Sequence, residues 1–342
     1  MKKPTLCVIF GGKSTEYAVS LRSAYGILNS IDGERYDVIR VGITREGKWL
    51  LFEGDNGAIL NDTWHVLPCP TVTLDLSRGC LIVLGGRIYS IDVELFFPVL
   101  HGEYGEDGRL QGLFDIAGAK YVGCKAFASH VCMDKQLTKR AAAEMGIRVA
   151  DGVCIGEGEE SRACEFCAKI GYPVFVKPVM SGSSVGASLV ESEGELPSAL
   201  ERAFRCCKHV LVEEYIRGKE AEVAVMQSKQ GLKVTRVGMI RHGARFYDYD
   251  AKYSSPTNEY LIPAPIGDRD AEYIRESARR LFLFLGCTGL SRFDFFVTEC
   301  GAVFNEVNTM PGFTDISMFP KLFTDYGYTY KETVNMLIEN AL

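Results

Sequence analysis

The stretch SRFDFFVTECGAVFNEVNTMPG, residues 291–312, constrains this chain more than any other. Two runs rich in aromatic and β-branched residues flank a Glu-Cys-Gly turn signal, a pattern that predicts a β-hairpin. The same runs carry Arg292, Asp294, Glu306 and Asn308, and ionised groups in an apolar surround are costly unless a partner compensates them. If Glu299-Cys300-Gly301 is a three-residue loop with Gly301 in the left-handed position, Asp294 lies opposite Glu306 and Arg292 opposite Asn308. Strand side chains alternate, so these four share one face, and Phe296 shares it too. Two carboxylates and an amide oxygen form a hard-oxygen set, suited to Mg2+ bridging nucleotide phosphates rather than to Zn2+. A salt-bridged hairpin is the competing reading, but a pair with Arg292 uses one acid and leaves the other in surplus. The Gly312 N–H, at the turn that follows, is a candidate oxyanion donor beside Arg292.

The rest of the chain alternates strands and helices. TLCVIFGG predicts a buried strand, STEYAVSLRSAYGILNSI an amphipathic helix, YDVIRVGI and IDVELFFPVL further strands, and HGEYGEDGRLQGLFDIAG a glycine-rich loop becoming a helix. That order predicts an open parallel sheet in residues 1–123, with ligands approached from the carboxyl ends of its strands. One helix is expected over ASHVCMDKQLTKRAAAEMG. IGYPVFVKPVMSGSSVGASLV then reads as strand, loop and strand, and KHVLVEEYIRGKEAEVAVM as more strands. At 342 residues the chain suits two or three domains of about 100 to 200 residues each. Boundaries are expected near 123 and 214.

Two loops stand out. Gly12-Lys13-Ser14 resembles the end of a phosphate-cradling P-loop, but Cys7 stands where that motif needs glycine. Glu16, next along, is placed either to cap its helix or to act. SGSSVGAS, residues 181–188, has glycines and hydroxyls that can form an anion nest, and Lys177 at the end of VFVK can reach the same phosphates. ARFYDYDAKYSSPTNEY, 244–260, is too irregular for a strand and has the character of a lid over a site.

The formal net charge of -6 offers no basic footprint for nucleic acid or an anionic membrane. The short N-terminal apolar run does not suit a signal peptide, so a cytoplasmic protein acting on small molecules is expected. The 12 cysteines are scattered. Cys164 and Cys167 have the only CxxC spacing, in a helical pattern better explained by packing than by zinc.

Seven segments in order, FGGKSTEYAVS, LHGEYGEDGRLQG, MDKQLTK, FVKPVMSGSSVG, FYDYDAKY, GLSRFDFF and FNEVNTMPGFTDIS, closely resemble the D-alanine:D-alanine ligases of the ATP-grasp superfamily. The resemblance implies an α/β chain of three domains: 1–123 binding substrate, 124–213 as the central ATP-grasp subdomain, and 214–342 as the C-terminal one with the lid. Antiparallel sheets of the latter two would enclose ATP. It implies ATP-dependent formation of D-alanyl-D-alanine through D-alanyl phosphate, for peptidoglycan synthesis. A D-alanine:D-serine ligase, less so a D-lactate one, and a non-catalytic nucleotide-binding module stay open as alternatives.

By the matching motifs, Lys135, Lys177 and Ser184 would contact phosphates, Glu213, Tyr215 and Ile216 adenine, and Glu220 ribose, with Phe246 and Phe296 lining the adenine pocket. Asp294, Glu306 and Asn308 match the ligands of two Mg2+ ions, replaceable by Mn2+, with K+ a candidate activator. Arg292 and Gly312 match the oxyanion donors, and Glu16, Ser183 and Tyr253 a triad across the site. Glu16 would take the first substrate's ammonium, Lys252 the transferring phosphate, and Ser317 with Met318 the second carboxylate. Tyr17 departs from the His or other polar residue common after that Glu. Met318 is a second departure, from the residue at that subsite in some relatives. A homodimer is the implied assembly.

Overall fold

The first strand, Thr5–Gly11 (β1), is buried at every position, as suits a strand with neighbours on both sides and layers on both faces. The computed structural model describes residues 2–241 and 259–342. A first sheet is built from β1, Asp37–Ile43 (β2), Trp49–Phe52 (β3), Thr71–Asp75 (β4), Cys80–Gly85 (β5), Arg87–Ile91 (β6) and Leu95–Val99 (β7), in the order β6-β5-β4-β3-β2-β1-β7. Only β1, β2 and β7 are parallel; β2 to β6 run antiparallel. The expected parallel sheet is therefore a mixed one. The cause is the connections: helix Tyr17–Leu28 (α1) supplies the crossover that parallel β1 and β2 need, whereas β5 and β6 are joined through Gly86 alone, which only an antiparallel pair permits. Helices Asn56–Leu60 (α2) and Arg109–Ile116 (α3) belong to the same region.

The single helix expected around MDKQLTK is two, Ala126–Met133 (α4) and Lys135–Glu144 (α5). Asp134 between them is extended, and its side chain accepts a hydrogen bond from the Leu137 N–H, capping α5. Both helices pack on the core of the third sheet rather than on the sheet that follows them in sequence.

The second sheet comprises Gly152–Gly156 (β8), Val174–Pro178 (β9), Ser188–Val190 (β10) and His209–Glu214 (β11), antiparallel in the order β10-β9-β11-β8, backed by Glu160–Ile170 (α6) and Leu196–Phe204 (α7). The β9–β10 hairpin carries the glycine-serine loop, as its sequence predicts. In α6 Cys167 is buried and Cys164 exposed, and all twelve cysteines are free thiols.

The third sheet takes Lys219–Ser228 (β12), Gly231–Val234 (β13), Gly238–Arg241 (β14), Glu259–Leu261 (β15), Leu290–Thr298 (β16) and Gly301–Asn308 (β17), in the order β15-β14-β12-β16-β17 with β13 beside β12. Alternation divides it cleanly. Ala221, Val223, Phe293 and Phe295 face a core closed by helix Asp268–Phe284 (α8). On the opposite face Ala224, Met226 and Leu290 pack under Met318–Tyr326 (α9), Tyr330–Ala341 (α10) and residues of α1. The first and third sheets thus share one core, which fixes α1 relative to the loop after β17.

Candidate active site

The β16–β17 hairpin places Arg292 opposite Asn308 and Asp294 opposite Glu306, as the alternation predicts, but by a different route. Its connection is Glu299-Cys300, with Thr298 paired to Gly301, one residue shorter than expected. A register shift beside Asp294 restores the predicted pairs by leaving Asn305 as an extra residue in β17. Asn305 and Glu306 consequently both line the cleft, and Asn305 Oδ1 accepts a hydrogen bond from Lys177 Nζ at 3.2 Å.

That cleft, a cavity of about 370 Å3 between the second and third sheets, is of the size that holds a small ligand. Lys135, Lys177, Ser184, Glu213, Tyr215, Ile216, Glu220, Asp294, Phe296 and Glu306 all line it. A smaller cavity of about 90 Å3 adjoins it, lined by Glu16, Arg292, Asn308, Gly312, Ser317 and Met318. Lys135, Ser181, Ser183, Glu222, Ile240 and Glu306 form walls of both. Lys252, Tyr253 and Phe246, with most of the 244–260 segment, lie outside the described residues.

Glu16 stands at the N-cap position of α1 yet makes no capping hydrogen bond. Its Oε1 instead accepts from Ser183 Oγ at 2.5 Å, joining residues 167 apart in sequence. Its Oε2 fits between two loops because Gly102 and Gly182 lack side chains: a Cβ would stand 2.4 Å from that oxygen at Gly102 and 2.7 Å at Gly182. Ser183 and Ser184 have φ of 49° and 58°, left-handed values that cost non-glycine residues free energy and turn the loop over the cleft. The neighbouring Tyr17 points away from the cavity. It is buried, its hydroxyl donates to Asp62 at 2.8 Å and accepts from Trp64 Nε1 at 3.1 Å. The departure at Tyr17 therefore lies in the core shared by the first and third sheets.

Arg292 makes a two-pronged contact with Asp294, Nε to Oδ1 and Nη2 to Oδ2 both at 2.7 Å, and its Nε also lies 2.8 Å from Glu222. Asn308 Nδ2 donates to Asp294 Oδ2 at 3.0 Å, and Lys135 Nζ lies 3.7 Å from Glu306. Two buried or half-buried carboxylates share one guanidinium, with a third close by, so the face keeps the surplus of negative charge its sequence predicts. No group of three or more His, Cys, Asp or Glu suited to holding a metal unaided is present among the described residues. Two carboxylates plus an amide oxygen are a partial oxygen set of the kind Mg2+ accepts when phosphates and water complete its shell.

Glu213 is turned to lysines: Lys177 Nζ lies 2.5 Å from one oxygen and Lys139 Nζ 2.9 Å from the other. Burial opposes charge on Glu213, but the two ammonium groups outweigh it and hold its carboxyl below the usual carboxylate range. Its side chain is thus committed to the two lysines, with Tyr215 and Ile216 beside it on the cavity wall.

In the wall of the smaller cavity, His101 Nδ1 lies 2.8 Å from the Met310 carbonyl and Nε2 3.1 Å from Ser23 Oγ, while Glu106 accepts from the N–H groups of Gly102 and Met310, each at 3.2 Å. Burial pushes the His101 pKa down and that of Glu106 well up, repulsion from Glu16 adding to the latter. These two hold the loop before Gly312 against the loop after β7. Sequence reasoning missed Lys139, Glu222, Asn305, His101 and Glu106. Glu222 had a signal, the two-residue spacing from Glu220, and Lys139 had another, one helical turn from Lys135. Asn305 had none, because a bulge depends on the partner strand.

Two family models match the chain, "D-ala D-ala ligase N-terminus" over residues 5–124 and "D-ala D-ala ligase C-terminus" over 142–339. D-alanine--D-alanine ligases of Mycolicibacterium gilvum and Mycobacterium tuberculosis are each 40% identical, covering 98% and 100% of this chain and 96% of their own. The VanG D-Ala:D-Ser ligase from Enterococcus faecalis superposes with a TM-score of 0.91 at 39% identity, covering 100% of both chains. The D-alanine-D-alanine ligase from Coxiella burnetii gives 0.83 at 31%, covering 99% of this chain and 95% of that one.

Proposed function

The chain belongs to the D-alanine–D-alanine ligase family, and on that premise we propose that it joins two D-alanine molecules at the expense of ATP, through D-alanyl phosphate. The observation that carries the reading is the pair of adjoining cavities sharing Lys135, Ser183 and Glu306 as walls. ATP in the larger would present its terminal phosphate at the boundary to a carboxylate in the smaller.

Each residue has a role consistent with its place. Glu16, oriented by Ser183, binds the first D-alanine's ammonium. Lys135, Lys177 and the N–H groups of the 181–186 loop hold phosphates, and Phe296 covers the base. Arg292 and the Gly312 N–H steady the oxyanion when the second amine attacks the acylphosphate. The second carboxylate meets Ser317 and the first-turn N–H groups of α9, at the positive end of its helix dipole. Asp294, Glu306 and Asn308 would hold Mg2+, which when bound neutralises charge on the transferring phosphoryl. Water must be kept from the acylphosphate, the task proposed for the segment containing Lys252 and Tyr253. No helix is long and apolar enough to cross a membrane among the described residues.

Phosphate release from ATP that requires D-alanine and Mg2+ is the test, and release independent of D-alanine, or none, overturns the reading. The 0.91 superposition on a D-Ala:D-Ser ligase supports a second reading for the acceptor. Mass spectrometry of products from equimolar D-alanine, D-serine and D-lactate separates them.

A further inference from the structure

Lys139 has no part in the reaction just described, yet it is buried, and an ammonium in that position needs a reason. It lies on α5 one turn beyond Lys135 and is not among the described residues that line either cavity. Between it and the larger cavity stands Glu213, whose two oxygens are divided between Lys139 at 2.9 Å and Lys177 at 2.5 Å. Lys177 is held on its other side by Asn305. All three charged side chains are at least nine-tenths buried, so water screens them little.

We propose that Lys139 is a positioning residue for phosphate binding: it neutralises Glu213, so that Lys177 offers an uncancelled positive charge to the nucleotide. The inference rests on reading the larger cavity as the nucleotide site. Its basis is charge counting. Two ammonium groups and one carboxylate carry a net charge of +1. Without Lys139 the remaining Lys177–Glu213 pair is neutral, and the pull of Lys177 on a phosphate is largely spent on Glu213. Glu213 serves in turn as a rigid anchor that sets the direction of Lys177. Three elements, α5, β9 and β11, are thereby tied to one ligand contact.

A pH signature follows. Burial pushes the Lys139 ammonium down to about 8, against the opposing pull of Glu213. The charged groups facing it are Glu213 on β11, Lys177 on β9 and Glu306 on β17. Lys139 loses its proton as pH rises through that value, and the cluster falls from +1 to neutral. Phosphate affinity should fall over the same range.

The test compares dissociation constants of adenosine and of a non-hydrolysable ATP analogue with Mg2+, the ratio reporting the phosphate contribution. In Lys139→Met the ratio should fall by about tenfold or more, with adenosine affinity retained. The double variant Lys139→Met, Glu213→Gln should recover most of the loss, because Lys177 then has no anion to neutralise. Lys139→Arg should keep the ratio and abolish its decline above pH 8. An unchanged ratio in Lys139→Met, or a double variant no better than the single, overturns the inference while leaving the nucleotide reading intact. Wild-type protein that binds neither ligand overturns both. Should Lys139→Met fail to fold, the double variant, which buries no carboxylate at 213, and Lys139→Arg with its pH profile decide the matter.

Discussion

Replacing Gly182 by alanine places a methyl carbon 2.7 Å from Oε2 of Glu16, with the next neighbours at 3.6 Å and 3.8 Å. Gly182 does not have a positive φ, so the backbone accepts alanine without strain. The whole conflict is therefore with one carboxylate oxygen, which must retreat by about 0.7 Å to reach ordinary contact near 3.4 Å. The far end of a glutamate can move that far, so stability should change by less than about 1 kcal/mol. Function should not be spared. The retreat disturbs the charge-assisted hydrogen bond from Ser183 Oγ to Oε1, a class of bond worth roughly 1.5 to 3 kcal/mol. It also displaces the group proposed to seat the first D-alanine, and misplacement near 1 Å can cost about 100-fold. The expected result is a loss of about 10- to 100-fold in kcat/KM for D-alanine, with ATP-analogue affinity unchanged. Phosphate-release kinetics, a thermal melt and analogue titration measure the three quantities. Gly102→Ala is the contrast: its φ is 71° and its Cβ would also meet Ser14 Oγ at 2.6 Å, so it should lose about 1 to 2 kcal/mol of stability besides activity. A folded Gly182→Ala enzyme within twofold of wild type would refute the placement of Glu16 as a determinant of catalysis.

Glu306→Gln should lower the rate by about 100-fold or more and raise the Mg2+ concentration needed for half-activation, with an unchanged thermal melt; unfolding instead would mark the acid as structural. Tyr17→Phe removes the hydrogen bond to Asp62 and leaves Trp64 Nε1 unpaired, costing about 1 to 3 kcal/mol by denaturant titration, while KM for D-alanine stays put because the ring faces the core. A changed KM would place Tyr17 at the substrate after all. Gly42→Ala drives a Cβ to 2.2 Å from the fully buried Trp64 ring, which Phe10 and Phe52 flank at 5.0 Å and 6.3 Å, so about 1 to 3 kcal/mol or more should be lost with activity per folded molecule preserved.

What the sequence determined by itself is what local rules govern. Two-residue alternation assigns Arg292, Asp294 and Phe296 to one face of β16, and Val174–Pro178 and Ser188–Val190 read as a hairpin around the glycine-serine loop. The order of motifs added the family. Tertiary structure decided whatever depends on a partner distant in the chain. The bulge that brings Asn305 to Lys177 arises from how β17 meets β16, and the break at Asp134 from how α4 and α5 separately pack on the third sheet. The antiparallel half of the first sheet follows from turns whose direction no strand pattern encodes. Glu16 as a helix cap and Glu16 as a ligand of Ser183 are equally good local readings of one sequence. Only the β9–β10 loop of the second sheet, which carries Ser183 across to α1, and two glycines from separate loops that leave room for its carboxylate, selected the second.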